Sequence, residues 1–242
     1  MELIFLGTRG ETEVRSRRHY RHSALLIRYR RARIMIDCGA DWLNHLRSIK
    51  PTAIVLTHAH PDHAFGLKRG ASCPVYATNV TWDSVDRFPV VDRREIPLAG
   101  PVIIDDVRFE AFPVEHSVRA PAVGYRVSMK STRFFYVPDV AQLSNISNAL
   151  GEINLYIGDG ASIKRSMVRR KNRSMIGHAS IAAQLGWCAK AGVRRALFTH
   201  CGSGIIRAGG SQMEDLIWEL GEEAGVEASI ASDGDRLILP GT

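Results

Sequence analysis

Cysteine is scarce in these 242 residues: it occurs four times, at Cys38, Cys73, Cys188 and Cys201, with no Cys-x-x-Cys pair. That excludes a disulfide framework and a zinc knuckle as the organising device. Apolar runs long enough to cross a bilayer are missing, as are a signal-peptide pattern and a lipidation motif at the start. A cytoplasmic protein with no membrane contact is therefore expected. Repeat periods, linkers and low-complexity tracts are also absent, which leads us to expect one domain over residues 1–242. Negative charge is the scarcer sign, with 25 Asp and Glu against 32 Lys and Arg and a formal net charge of +7. Such an excess favours a polyanionic or phosphorylated partner, although solubility alone also accounts for it.

What is present is ordinary globular composition, 45% hydrophobic and 24% charged, with length enough for a sizeable core. Residues 2–7 read as a strand ending at Gly7. Residues 9–21 follow as a strongly basic loop, either solvated or a phosphate-contacting edge of a site. Residues 23–28 and 33–37 read as a hairpin around Arg30 and Arg31. Asp41 is expected to cap a short helix running to Arg47. The β-branched run Ala53–Ile54–Val55–Leu56 reads as a buried strand. Further strands are expected at 74–77, 103–104, 107–113, 122–127, 133–137, 154–157, 195–199 and 235–239. Helices are expected from Asn79, near 144–150, over 180–191 with Ser180 as N-cap and Gly192 as stop, and over 211–224. Strands interleaved with helices, with polar clusters at strand ends, fit two packed sheets flanked by helices.

The strand at 53–56 runs into Thr57–His58–Ala59–His60–Pro61–Asp62–His63. Pro61 cannot continue a ladder and turns the chain, so His58 and His60 can face one point while Asp62 and His63 face another. Neutral imidazole and carboxylate are the ligands of zinc and of harder first-row ions such as manganese or iron. This motif resembles that of the metallo-β-lactamase superfamily, and the rest of that family's pattern recurs in order. His116 lies in Phe112–Pro113–Val114–Glu115–His116–Ser117, Asp139 in Phe135–Tyr136–Val137–Pro138–Asp139, and His200 in Leu197–Phe198–Thr199–His200. Asp37, in Ile34–Met35–Ile36–Asp37–Cys38–Gly39, matches the first motif, so the resemblance spans nearly the whole chain.

The resemblance implies an α/β protein with the αββα four-layer sandwich of that fold and a site at one edge between the sheets. It also implies two divalent metal ions, zinc by default with manganese or iron open. His58, His60 and His116 would hold one ion, Asp62, His63 and His200 the other, with Asp139 and a hydroxide bridging them. Asp159, in Gly158–Asp159–Gly160, is the alternative bridge. Asp37 would orient a ligand histidine or simply cap the turn at Gly39. Zinc β-lactamases carry cysteine at the position of Asp139, and flavo-diiron reductases carry Glu at that of His60, so neither activity is expected. Glyoxalase- and lactonase-type hydrolases share all seven ligands, which keeps a lactone or thioester substrate open.

Gly177–His178–Ala179–Ser180 turns the expectation toward phosphodiesters. His178 precedes the expected helix start, where free backbone N–H groups and the dipole attract anions, although a histidine there can also be without chemistry. With residues 116–126 and Leu6–Gly7–Thr8, the stretch resembles the ribonuclease Z and cyclic-phosphodiesterase branch of the superfamily. That resemblance implies a phosphodiesterase, nuclease-like or acting on a small nucleotide diester, with Asp62 and His178 as proton-handling residues. The long tRNA-gripping arm of ribonuclease Z has no room between His116 and Asp139. The cysteine-bearing accessory zinc site of the phosphonate-pathway phosphodiesterase is missing too. The basic stretch 164–173, with Arg169, Arg170 and Lys171, is either a phosphate-contacting loop at the cleft mouth or a solvated crossover. The expected partners are a phosphodiester, nucleic acid among the candidates, and a second copy of the chain in a homodimer.

Overall fold

A computed structural model describes residues 1–240, so the last two positions of the expected domain lie outside the described residues. The first sheet is built from β1 (Glu2–Gly7), β2 (Ala24–Tyr29), β3 (Ala32–Ile36), β4 (Ala53–Val55), β5 (Val75–Ala77) and β6 (Arg93–Glu95). The second takes β7 (Pro101–Ile104), β8 (Val107–Glu115), β9 (Ala122–Met129), β10 (Thr132–Tyr136), β11 (Gln142–Leu143) and β12 (Leu155–Asp159). A separate hairpin, β13 (Arg169–Lys171) and β14 (Ser174–Ile176), interrupts it before β15 (Arg195–Thr199) and β16 (Glu227–Ile230) complete it. Finally β17 (Arg236–Ile238) returns to the first sheet and pairs with β1.

Both sheets follow one plan. In the first, β1, β2 and β3 form an antiparallel meander and β3 to β6 continue in parallel. In the second, β8, β9 and β10 are antiparallel and β10, β12, β15 and β16 are parallel. The sequence shows no repeat period, because backbone pairing repeats here without the side chains doing so.

Three hydrophobic clusters define four layers. Alternating residues of the two inner faces, among them Leu3, Phe5, Ile34 and Val55 against Phe109, Tyr125, Phe134 and Ile157, make the central one. The other face of the first sheet packs Leu26, Met35 and Ile54 against Trp42, Leu67 and Trp82. On the far side, Phe135, Tyr156 and Phe198 pack against helices over Ile181–Ala191 and Ser211–Ala224. This is the αββα sandwich, and it follows from strands whose two faces are both apolar. Among the described residues no helix is long and apolar enough to cross a membrane.

Some local expectations change. Asp41 caps no helix: it sits in a 3-10 turn, Ala40–Trp42, with Gly39 at the N-cap, and the helix is one turn, Leu46–Ile49. The carboxylate of Asp41 instead accepts from Arg9 Nη2 (2.6 Å), Arg15 Nη2 (3.1 Å) and the His22 amide (2.9 Å). A tertiary cation outbids a local cap, because a charge-assisted bond to a buried guanidinium is the stronger interaction. Asp233 pins the same segment, accepting from Thr8 Oγ (2.7 Å) and the amides of Tyr20 and Arg21 (3.0 Å each). The basic loop 9–21 is thus a strap whose charges are largely engaged, since Arg18 pairs with Glu214 and Arg21 lies over Trp42. Residues 164–173, expected as loop, include β13. Strands β6 and β16 and a short helix, Ser203–Ala208, had no sequence expectation.

Arg9 is 2% exposed, so removing its partner leaves a buried cation supported by carbonyl oxygens of Gly10, Thr12 and Tyr20 alone among the described residues. Asp41→Ala should therefore cost about 3 kcal/mol, the low end for breaking a buried pair from one side. Chemical denaturation checks this, and a loss under 1 kcal/mol would show that the strap does not depend on the pair.

Candidate metal centre

Strands β3, β4, β8, β10, β12 and β15 point their carboxyl ends at one edge of the sandwich, where ligands gather in such sheets. Asp37 follows β3, His58 follows β4, His116 follows β8, Asp139 follows β10, Asp159 ends β12 and His200 follows β15. Beyond β4, His60 is still extended and Pro61 opens a one-turn helix, Pro61–Ala64, that carries Asp62 and His63. Proline suits that first helical position because its φ is preset and its missing N–H is not needed. The turn packs directly on Gly39, where a Cβ would lie 1.9 Å from the Asp62 carbonyl oxygen.

The side chains converge in three overlapping groups. His58, His60, His116 and Asp139 form one, Asp62, His63, Asp139 and His200 a second, and Asp139, Asp159, His178 and His200 a third, the ligand atoms of each within 4.8 Å of one another. Asp139 is common to all three. Its carboxylate lies 3.1 Å from His58 Nε2, 3.0 Å from His63 Nε2, 3.5 Å from His116 Nε2 and 2.9 Å from His200 Nδ1. Asp62 Oδ2 lies 3.1 Å from His63 Nε2 and 3.0 Å from His200 Nε2.

Three of the imidazoles, His58, His63 and His116, are held from behind. Asp37, fully buried, accepts from His63 Nδ1 at 2.8 Å and from the Thr57 amide at 2.8 Å. Thr57 Oγ donates to Asp37 and lies 3.0 Å from His58 Nδ1, so one hydroxyl ties both histidines to one carboxylate. His116 Nδ1 donates to the Gly177 carbonyl at 3.1 Å. Thr57 and Gly177 were not singled out in the sequence. Thr57 stands directly before His58, and that adjacency was the available signal; Gly177 could not be linked to His116 across 61 positions.

The donor set fits a metal. His63 Nε2, His200 Nδ1 and Asp139 Oδ1 are buried and make no hydrogen bond, although carboxylate oxygens and imidazole nitrogens lie about 3 Å apart. Buried polar atoms left in this way are rare without an unmet ligand. Burial pushes His58 and His116 below the usual imidazole range and His60 down to about 4, helped by neighbouring histidines. These three are therefore neutral, the form that ligates. Burial also opposes charge at His63 and His200, but the carboxylates of Asp62 and Asp139 outweigh it and raise both. Burial would raise Asp62 and Asp139, yet the same histidines hold both carboxyls well below the usual range. This half of the site is built around charge.

His178 departs from its expected setting. The helix starts at Ser180, and its first free amides are taken: Ile181 N–H by Ser162 O, Ala182 N–H by Ile163 O and Ala183 N–H by the Ser180 hydroxyl. No amide remains there for an anion. His178 is tied instead to Asp159, with Nδ1 2.8 Å from Oδ2, while Asp159 also accepts from the amides of Val140 and Ala161. Asp159, the alternative bridge, lies beside the bridge position and steers His178. Arg169, Arg170 and Lys171 stand exposed on the hairpin and join none of the ligand groups.

A family profile described as a β-lactamase superfamily domain matches residues 32–201, which contain the whole ligand pattern. The chain belongs to the β-lactamase superfamily. Superfamily members among solved structures share its fold over nearly their full length. A metallo-β-lactamase fold protein, YhfI from Bacillus subtilis, matches with a TM-score of 0.76 at 16% identity, covering 98% of each chain. A diphosphatase of the PhnP family matches with a TM-score of 0.75 at 17% identity, covering 98% of this chain and 96% of that one. Human tRNase Z, short form, matches with a TM-score of 0.66 at 18% identity, covering 99% and 100%. No curated protein matches. At these identities the neighbours establish the fold, and superfamily membership makes this a metal-dependent hydrolase with His and Asp groups able to bind metal.

Thr57→Val removes the hydroxyl between His58 and Asp37 and keeps the shape. Metal affinity should fall about 10- to 100-fold, as for other partners behind ligands, with the fold intact by circular dichroism. Competition with a chromogenic chelator measures this, and an unchanged affinity would show that packing alone orients His58.

Proposed function

We propose that the protein is a phosphodiesterase that works with two divalent ions, zinc by default and manganese or iron by the same donors. His58, His60 and His116 would hold one ion, Asp62, His63 and His200 the other, and Asp139 both. Bound there, the ions would supply Lewis acidity and a water of lowered pKa. The carboxylate of Asp62, kept ionised by its histidines, takes up a proton from the attacking water.

The observation that carries the diester reading is the Asp159–His178 pair. Burial opposes a charge on His178, but Asp159 outweighs it and raises the imidazole above its usual range. The pair favours a proton on His178, with Nδ1 spent on Asp159 and the side chain 21% exposed on the site. Its Nε2–H has no partner among the described residues. Once protonated, an imidazole held in this way beside Asp139 is suited to donate to a non-bridging oxygen or to the leaving alkoxide of a diester. A lactone or thioester, whose oxyanion forms at the ions, has no need of that second acid. Two structural neighbours, a diphosphatase and a tRNase Z by name, accord with phosphate chemistry. A diester substrate and a cytoplasmic setting complete the reading.

His178→Ala should lower kcat for bis(p-nitrophenyl) phosphate about 10²- to 10³-fold with little change in KM, in protein shown by elemental analysis to keep its metal. Asp159→Asn should fall in the same direction and by less. Parent-rate turnover of the diester by His178→Ala would transfer the assignment to acyl hydrolysis.

A further inference from the structure

Two stretches of this chain carry cations and no carboxylate, residues 15–33 with eight arginines and the shorter, denser residues 164–173. Between Lys164 and Arg173 there are six cations and no carboxylate, so that segment holds +6 of the net +7 and leaves +1 over the other 232 residues. All six, Lys164, Arg165, Arg169, Arg170, Lys171 and Arg173, are exposed. None pairs with a carboxylate among the described residues, whereas on the strap Arg9, Arg15 and Arg18 all do. Unpaired surface cations gathered on one element form an electrostatic footprint for a polyanion.

The hairpin is also anchored to the site. Its outgoing strand ends at Gly177, whose N–H donates to the His116 carbonyl and whose carbonyl accepts from His116 Nδ1. On the other side the Met167 amide donates to the His178 carbonyl. Gly177 adopts φ +104°, and a Cβ there would lie 2.2 Å from the Met167 carbonyl oxygen, so the root closes only with glycine. Glu115, which meets the outgoing strand, is occupied by the Met175 amide.

Length then decides between a small and a polymeric substrate. From Gly177 to the tip at Asn172 the strand rises about 17 Å, at roughly 3.3 Å per residue. The Debye length at physiological salt is about 8 Å. Charges at the tip are thus screened from a phosphate held among the ligands and act only on a substrate that extends along the arm. At about 3.4 Å per stacked nucleotide, the arm spans about five nucleotides. We propose that the β13–β14 hairpin grips the sugar-phosphate backbone of a nucleic-acid strand and leads it to the metal centre, which rests on the phosphodiesterase reading and makes its substrate polymeric. A membrane suits the hairpin less, because its tip, Lys171–Asn172–Arg173, carries no apolar side chain to insert.

The test reads binding without turnover. A fluorescein-labelled, cleavage-resistant 2′-O-methyl 12-mer is titrated into metal-loaded protein at several salt concentrations, beside the corresponding dinucleotide. Replacing Arg169, Arg170 and Lys171 with Ala should flatten the slope of log K against log salt by about 2 and weaken the 12-mer about 10²-fold at 0.1 M salt. Dinucleotide affinity should fall far less, because only Arg169, opposite Ile176 at the base, lies near the site. Lysine at positions 169 and 170 should restore the slope, and removing Arg30, Arg31 and Lys130 at the opposite edge should leave it unchanged. An unaltered slope in the triple Ala protein overturns the proposal, as does preference for phosphatidylserine vesicles over the 12-mer. Failure here leaves the chromogenic-diester result standing with a small substrate. Failure of the chromogenic assay, with the salt slope as expected, sinks the catalytic reading but not the arm.

Discussion

The carboxylate of Asp139, 3% exposed, lies within 3.5 Å of nitrogens from His58, His63, His116 and His200. An ion of that kind costs several kcal/mol to desolvate, and only opposite charge held at the same point offsets it. The surrounding architecture meets that demand. Parallel strands bring four chain segments to one edge, and buried hydrogen bonds fix His58, His63 and His116 so that the remaining nitrogen of each faces the shared carboxylate. Side chains left free to rotate would satisfy their hydrogen bonds with each other and lose the convergence that a cation requires.

The same constraint explains the glycines beside the site. Gly39 lets the β3 loop lie on the Asp62 backbone, and Gly177 lets the basic hairpin close against His116. Both bring backbone where a side chain would hold it off, since a Cβ would meet the Asp62 carbonyl at one and the Met167 carbonyl at the other. The two basic segments differ for a related reason. Arg9, Arg15, Arg18 and Arg21 of the strap are engaged in holding it, through Asp41, Glu214 and the Trp42 ring. Those of the hairpin pair with no carboxylate among the described residues, Arg170 meeting only the Asn172 carbonyl, so their charge remains for a partner.

Local chemistry was enough for much of this. Alternation of apolar residues, Pro61 at a strand end and the spacing of His58, His60, Asp62 and His63 are short-range properties, and a single stretch of chain displays them. Hence the sandwich, most of its strands and the ligand pattern were legible. Asp41 was misplaced because capping is a local preference, whereas its partner Arg9 sits 32 positions away and binds it more strongly. The anion site at the 181–191 helix failed likewise: residues 162 and 163 reach its free amides from a loop with no sequence mark.

Pairing across long separations has no signal in one sequence. Thr57 serving Asp37 and His58 together, Asp159 taking His178, and Gly177 closing on His116 depend on where strand ends meet. The order of residues determined which groups this protein has to work with, since residue type sets donor, charge and turn preference. Only the tertiary structure decided which of them face each other, because an unpaired buried charge costs more than any local propensity yields.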